Sequence, residues 1–293
     1  MLTGLVIGAL SAAALLPQTD TIVQANGASR LELESFQGVV VVRSWDRDAV
    51  QIKADHPDSH SIQIDRSGTT ISVEPEFERG FGFAHGVDFE ITVPRGFDLN
   101  IEGVALDVDI QGTEGRIEVA TVHGPIRVQG GRLAIVLESV NGSIHVEGAQ
   151  GDLEVTGVAG GVTIVNCSGD ISAESVGGAL TMEGINSADV EVGSVGGTLR
   201  YEGSIQDGGR YNFGSHGGEI WLYLPANINA QVDVLTLAGD IEVNYPGAPT
   251  EPTKGEGIPG LNQKELTFEL GTGSARIEVE TFGGTVHILR QGG

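Results

Sequence analysis

The sequence predicts an all-β fold, a right-handed parallel β-helix (β-solenoid) with about 18–21 residues per coil. One observation is a recurring pattern, Val-x-Gly-x-aliphatic-x-aliphatic, whose glycines return every 18 residues from Gly124 to Gly178. The other is the content of 45 glycines, without collagen spacing and beside enough Val, Ile and Leu to form a core. A fixed period of this length is typical of a chain whose coils stack and bury faces that one coil cannot bury alone.

Residues 1–25 are predicted to be a secretory signal peptide. Residues 2–16 are apolar but too few to span a bilayer comfortably, and Val23-Gln24-Ala25 offers a cleavage site. No Lys or Arg precedes the apolar segment, so a buried N-terminal helix is the alternative and a misplaced start codon another explanation. We therefore expect an exported protein, periplasmic, outer-envelope or extracellular, with no transmembrane helix in the mature chain.

Residues 26–100 are predicted to form a less regular β portion that caps the solenoid. Apolar and polar residues alternate in short runs such as Phe89-Glu-Ile91-Thr-Val93, which is the pattern of half-buried strands. A glycine-rich loop between the last of these strands contains Phe77, Phe81 and Phe83. These aromatics either contact a partner, because loops often carry function, or cover the open end of the solenoid as a lid.

Residues 101–293 are predicted to form the regular coils, in one continuous domain with residues 26–100. Alignment of the coils gives columns of like residues, expected to face inward about 4.8 Å apart. The predicted columns are Ile126, Ile144, Val162, Leu180 and Leu199; Val128, Val146, Ile164, Met182 and Tyr201; and Leu133, Leu153, Ile171, Val190 and Tyr211. Beyond Gly197 the step lengthens to 21, and a proline-rich segment from Tyr245 to Gly260 interrupts the coils before Leu266.

One turn column is predicted to adopt a left-handed backbone conformation. Its members are Gly130, Gly148, Asn166, Gly184 and Gly203. Asparagine is the non-glycine residue that best tolerates positive φ. The adjacent column contains Ala149, Cys167 and Ile185, so the single cysteine is expected to be an apolar filler and not a nucleophile.

The coil pattern resembles a known family, the bacterial envelope proteins grouped as candidate adhesins around a domain of unknown function, and is similar to head-GIN-type adhesin domains. The resemblance covers about residues 31–290 and rests on the Gly-x-Ile-x-Val coils, on Ile91-Thr-Val-Pro94 and Leu222-Tyr-Leu-Pro225, and on Thr281-Phe-Gly-Gly-Thr-Val-His-Ile288. It implies a β-helical fold, an envelope location and a binding role. It supplies no catalytic residues.

The charge excludes one class of partner and leaves a second open. With 40 acidic against 16 basic residues the formal charge is -24, which opposes binding to nucleic acid or anionic lipid. Three aspartates, Asp152, Asp170 and Asp189, fall in one outward column that Arg116, Arg132 and Arg210 continue. The column either binds Ca²⁺ or is a solvated edge with partly compensated charge.

No catalytic, cofactor-binding or metal-binding residues are predicted. The histidines form no HxH or HxxxH pair, and Gly-x-Ser-x-Gly is absent from the sequence. One surface feature remains: Trp221 and Tyr223 alternate with aliphatic residues and should point outward. They either bind a sugar or a protein, or lie beneath the proline-rich segment.

The sequence thus predicts a non-enzymatic envelope or cell-surface module, adhesin-like, whose partner is an envelope protein or a glycan. The alternative is a carbohydrate-active enzyme, a polysaccharide lyase or hydrolase, on the same scaffold. Such an enzyme needs acids that converge on a cleft, for which the sequence offers only the aspartate column. A third alternative is a structural envelope component without a ligand.

Overall fold

The structure, a computed structural model, describes residues 18–77, 86–249, 251–254 and 262–292. Within these ranges the chain forms strands and no helix, as predicted. Most strands pair in parallel and belong to one of two sheet faces that enclose an aliphatic core, so the fold is a β-solenoid. We call these face A and face B.

The N-terminal end of the solenoid is formed by seven strands. They are β1 (Gln18–Gln24), β2 (Arg30–Trp45), β3 (Ala49–Asp55), β4 (His60–Ser67), β5 (Thr70–Phe77), β6 (Asp88–Pro94) and β7 (Asp98–Gln111). The long strands β2 and β7 pair in parallel from Arg30 with Asp98 to Arg43 with Gln111 and contribute to both faces. Beyond β2, face A continues with β5 and antiparallel β4, and face B with β6, then β3 and β1.

Strand β1 uses residues that the sequence analysis assigned to the end of the signal peptide. It pairs antiparallel with β3 from Gln18 with Asp55 to Gln24 with Ala49, and Ala25 is fully buried. Cleavage after Ala25 would therefore remove an edge strand of face B. Residues 1–17 lie outside the described residues, and the signal peptide stays a prediction.

The middle of the chain adds one strand to each face in every coil, even-numbered strands to face A and odd-numbered strands to face B. They are β8 (Ile117–His123), β9 (Ile126–Gln129), β10 (Ile135–Ser139), β11 (Ile144–Glu147), β12 (Leu153–Gly157), β13 (Val162–Val165), β14 (Ile171–Ser175), β15 (Leu180–Ile185), β16 (Asp189–Ser194), β17 (Leu199–Gly203), β18 (Arg210–Ser215) and β19 (Ile220–Leu224). Neighbours pair in parallel, for example Ile144 with Ile126 and Val162. Both predicted columns of face B are confirmed.

The predicted column of face A is wrong at its first member. Leu133 is 55% exposed, and Ile135 pairs with Leu153 in its place. The reason is that Gly130 and Gly131 both adopt positive φ, so the turn before β10 shifts the strand by two residues relative to the sequence alignment. The remaining members, Leu153, Ile171, Val190 and Tyr211, are paired and buried as predicted.

The C-terminal end does not follow the order of the sequence. Its strands are β20 (Ala230–Thr236), β21 (Asp240–Asn244), β22 (Thr253–Lys254), β23 (Lys264–Leu270), β24 (Ala275–Thr281) and β25 (Thr285–Arg290). The last coil, β24 and β25, inserts between β18–β19 and β20–β21, and antiparallel β23 and β22 extend face A beyond β20. A simple continuation of the coils along the sequence is therefore not observed.

The glycine of each repeat lies where the chain passes from face A to face B, against the backbone of the preceding coil. A Cβ atom on Gly142 would lie 1.7 Å from the carbonyl oxygen of Gly124, and one on Gly160 would lie 2.0 Å from that of Gly142. The same close approach recurs at Gly178, Gly197, Gly218 and Gly284. Only glycine fits here, because any side chain would push two coils apart.

The turns from face B back to face A confirm the left-handed column in four of its five members. Gly130, Gly148, Asn166 and Gly184 have positive φ, with Asn166 at 52°. The exception is Gly203, which is not among the positive-φ residues because a bulge pairs Ile185 with Gly203. Cys167 is 1% exposed among the core residues, as predicted.

Candidate binding surface

The two faces present different side chains to solvent. Face A is acidic over the regular coils, with Glu118, Glu138, Asp152, Glu154, Asp170, Glu174, Asp189, Glu191, Glu278 and Glu280 outward against Arg116, Arg210 and Arg276. Face B carries a mixed set in its central column, with Arg127, His145, Thr163, Thr181, Arg200, Trp221 and His287. Side chains suited to aromatic recognition are therefore concentrated on face B.

Four side chains on face B form a continuous stack, which we call the aromatic stack: Arg200, Trp221, Tyr223 and His287. The His287 ring lies 3.8 Å from the Trp221 ring, centroid to centroid, with 13° between the planes. The Tyr223 ring is 6.5 Å from Trp221 at 15°, and the Arg200 guanidinium carbon is 4.1 Å from the Tyr223 centroid. Three neighbouring strands, β17, β19 and β25, thus hold one flat surface.

Carboxylates surround the aromatic stack and fix its rings. The Trp221 Nε1 donates to Glu219 Oε2 at 3.1 Å, and His287 Nδ1 lies 3.1 Å from Glu242 Oε2. Arg200 donates to Glu202 Oε2 at 2.8 Å. Trp221 and Tyr223 are half-buried, so part of each ring faces solvent. The result is an apolar platform with hydrogen-bond acceptors at its rim, which suits a ligand with a flat apolar side and hydroxyl or amino groups.

The described part of the proline-rich segment leads away from the aromatic stack. Tyr245 follows β21, is buried, and donates its hydroxyl proton to the carbonyl oxygen of Pro225 at 2.6 Å. The segment then reaches β22, which pairs with β23 on face A. Residues 250 and 255–261 lie outside the described residues.

The second predicted set of aromatics lies at the opposite end of the solenoid. Phe77 ends β5, is 38% exposed, and contacts the His60 ring edge-on at 4.7 Å between centroids. Phe81 and Phe83 lie outside the described residues. Because β5 extends the N-terminal end and β19 lies near the C-terminal end, Phe77 and Trp221 do not belong to one site.

The aspartate column is partly neutralised by neighbouring arginines. Arg210 donates to Asp189 Oδ2 at 2.6 Å, and this hydrogen bond raises the pKa of the guanidinium. The register continues the column with Ala134, Arg116 and Arg276; Arg132 is not a member, because the shift before β10 moves it toward Glu114 at 3.7 Å. Within the described ranges no three His, Cys, Asp or Glu side chains are grouped so that they could hold a metal ion.

Cys167 has no feature of a reactive thiol. Its side chain is buried beside the carbonyl oxygen of Val165 at 3.3 Å, and burial raises the pKa of the thiol. A raised pKa lowers the thiolate fraction, and the thiolate is the nucleophile. The prediction of a structural role is in keeping with this geometry.

Sequence reasoning missed most partners of Trp221. Arg200 is 21 residues before Trp221 and pairs with it directly, so the lengthened repeat step contained the signal. His287 and Glu242 come from the inserted coil and from β21, and no periodicity places them there. Also missed was a column of buried hydroxyls, in which Ser139 accepts from the Gly142 N–H and Ser175 donates to the Gly178 carbonyl.

Comparisons with known proteins give one family and one solved structure. None of the curated proteins matches the chain. The chain is similar to a candidate cell adhesion protein from Clostridium sporogenes, solved by crystallography, with 12% identity and a TM-score of 0.24 over 94% of this chain and 99% of that one. Among the described residues no helix is long and apolar enough to cross a membrane. The family model Toastrack DUF4097 matches residues 28–289, nearly the whole solenoid, and the chain therefore belongs to the Toastrack DUF4097 family.

Proposed function

We propose that this protein is an exported, non-enzymatic, adhesin-like module of the cell envelope that binds a glycan through the aromatic stack of face B. The observation that carries the proposal is the parallel stacking of His287, Trp221 and Tyr223 under an arginine, with part of the surface open to solvent. The resemblance of the coils to adhesin domains supports the same role.

The chemistry of the aromatic stack favours a neutral or amino-bearing sugar. A pyranose presents one face of C–H groups that packs on an aromatic ring, and its hydroxyl or amino groups can donate to the carboxylates of Glu219 and Glu242. An anionic polymer is disfavoured by those carboxylates and by the net charge of -24. A binding role for Phe77, Phe81 and Phe83 is the second-ranked proposal.

Export would leave β1 in the mature protein. The pairing of β1 with β3 supports a leader that ends before Gln18 and not after Ala25. Intact-mass measurement of the protein recovered from the periplasm or the medium tests this. A mature chain that starts at Asn26 would contradict it, as would recovery of the chain from the cytoplasm alone.

The enzyme alternative requires a different geometry. Glycoside hydrolysis needs two carboxyl groups facing each other across the scissile bond, about 5 to 9.5 Å apart. In the aspartate column the strands place carboxylates side by side, and Asp189 is paired with Arg210. Release of reducing sugars from an envelope glycan by the wild-type chain, and its loss in Asp170→Asn, would support the enzyme over the binding module.

The binding proposal is tested by removing the two exposed rings. In the variant Trp221→Ala/Tyr223→Ala we expect retention on immobilised envelope glycans to fall at least tenfold, because each ring in such a platform contributes about 1–3 kcal/mol. The matched control is Glu191→Ala/Asn212→Ala, two outward positions on face A that should leave retention unchanged.

The melting temperatures of both variants separate binding from folding. We expect Trp221→Ala/Tyr223→Ala to melt within a few degrees of the wild type, since both rings are half-exposed. Unchanged glycan retention by this variant, or a melting temperature so low that the rings must belong to the core, would overturn the proposal. Retention on envelope proteins but not on glycans would identify the wrong partner class.

A further inference from the structure

One edge of the solenoid carries a line of exposed apolar side chains, which we call the valine ladder. It lies where face A turns into face B and has eight rungs, Val104, Val122, Val140, Val158, Val176, Val195, His216 and Phe282. The six valines are 37% to 50% exposed and Phe282 is 43% exposed. Seven of the twelve exposed large hydrophobic residues among the described residues thus lie on one line.

The ladder is rigid along its length. The amide that follows each rung donates to the carbonyl of the rung below, as in Ala159 to Val140, Gly177 to Val158 and Gly196 to Val176, all at 2.8 Å. At the far end the His216 and Phe282 rings stack at 5.0 Å between centroids. Strand spacing of about 4.8 Å gives the eight rungs a length of about 34 Å.

The surface beside the ladder is uncharged on one side. The turn residues after the rungs are small or neutral: Ala105, His123, Asn141, Ala159, Gly177, Gly196, Gly217 and Gly283. In a chain with a formal charge of -24, a strip of this length without carboxylates is unusual. The other side, toward face A, carries Glu102, Glu138, Glu174 and Glu280.

We propose that the valine ladder is a self-association surface, on which a second copy of this chain docks its own ladder. A second copy is favoured because its side chains recur at the same strand spacing over the same length, so every rung finds an apolar counterpart in a two-fold arrangement. A contact about 15 Å wide along the ladder would bury on the order of 500 Å² per copy, somewhat below the roughly 800 Å² of a standard interface. The association is therefore weak, and added salt strengthens it by screening the glutamates at its rim.

The proposal is tested by sedimentation velocity of the full chain at about 1 to 100 μM, in low salt and in about 0.5 M salt. The wild type should move from 30.5 kDa toward twice that mass as concentration and salt rise. Val158→Lys/Val176→Lys, at the middle of the ladder, should remain a monomer throughout. The matched control Thr163→Lys/Thr181→Lys adds the same charges to the outward side of face B and should associate like the wild type.

A cysteine variant keeps the test decisive if the lysine variant unfolds. Cys167 is buried, so Val158→Cys supplies the one exposed thiol, and a short bis-maleimide should crosslink it into a dimer. Thr163→Cys should not crosslink under the same conditions. A wild type that stays at 30.5 kDa at 100 μM in high salt, lysine variants that still associate, or crosslinking that is equal at both positions would overturn the proposal.

Discussion

Strands β16 and β17 belong to one coil and have similar inward residues, yet they show solvent different chemistry. The inward side chains Val190 and Val192 of β16, and Leu199 and Tyr201 of β17, are all buried. Outward, β16 presents a row of carboxylates, whereas β17 presents Arg200, which lies over the Tyr223 ring. The two faces therefore share one core and one backbone register and differ in their outer residues. Inward residues specify the fold, and the differences in function lie outside.

The shared register depends on the turn where both faces meet, and this gives the largest predicted effect on stability. In Gly160→Ala the new Cβ would lie 2.0 Å from the Gly142 carbonyl oxygen, so two coils must separate. We expect a loss of about 3 kcal/mol in the free energy of unfolding, measured by denaturant titration.

The neighbouring glycine provides the control for this prediction. Gly161→Ala places its Cβ no closer than 3.5 Å to any neighbour and should change stability by less than about 1 kcal/mol. Equal losses for Gly160→Ala and Gly161→Ala would show that the glycine stack does not set the coil spacing.

The opposite turn, from face B to face A, gives a smaller effect. Asn166 has a φ of 52°, where a β-branched residue is strained. Asn166→Val should therefore cost about 1 to 2 kcal/mol, whereas Asn166→Gly should be nearly neutral. Thermal melts of the two variants check this, and identical melting temperatures would contradict it.

Much of the regular fold could be predicted from the sequence because each coil repeats its own local signals. The face B columns and the turn at Asn166 follow from the fixed step, since inward position and turn geometry are local properties. The error at Leu133 has a local cause too, a double-glycine turn of unusual length. Simple alternation would place Val140 on the same side as Ile144, but the tight turn at Gly142 leaves Val140 exposed.

The two ends could not be predicted, because their pairings join segments that are far apart in sequence. Nothing periodic indicates that β2 pairs with β7 or that β24 and β25 insert beside β18 and β19. The candidate site inherits this limit: Trp221 and Tyr223 were found by alternation, while His287 arrives through the inserted coil. Long-range pairing depends on the whole chain, and local patterns do not encode it.

The measurement that tests the central claim most directly is the fluorescence of Trp221 during titration with a purified envelope glycan. The chain has two tryptophans, so Trp45→Phe leaves Trp221 as the only indole, and its emission reports on the aromatic stack alone. A saturable change in Trp221 emission, absent when Tyr223 and His287 are replaced by alanine, is the predicted result. Glycan binding that is detected by sedimentation but leaves Trp221 emission unchanged would contradict the account, because the ligand would then lie elsewhere on the solenoid.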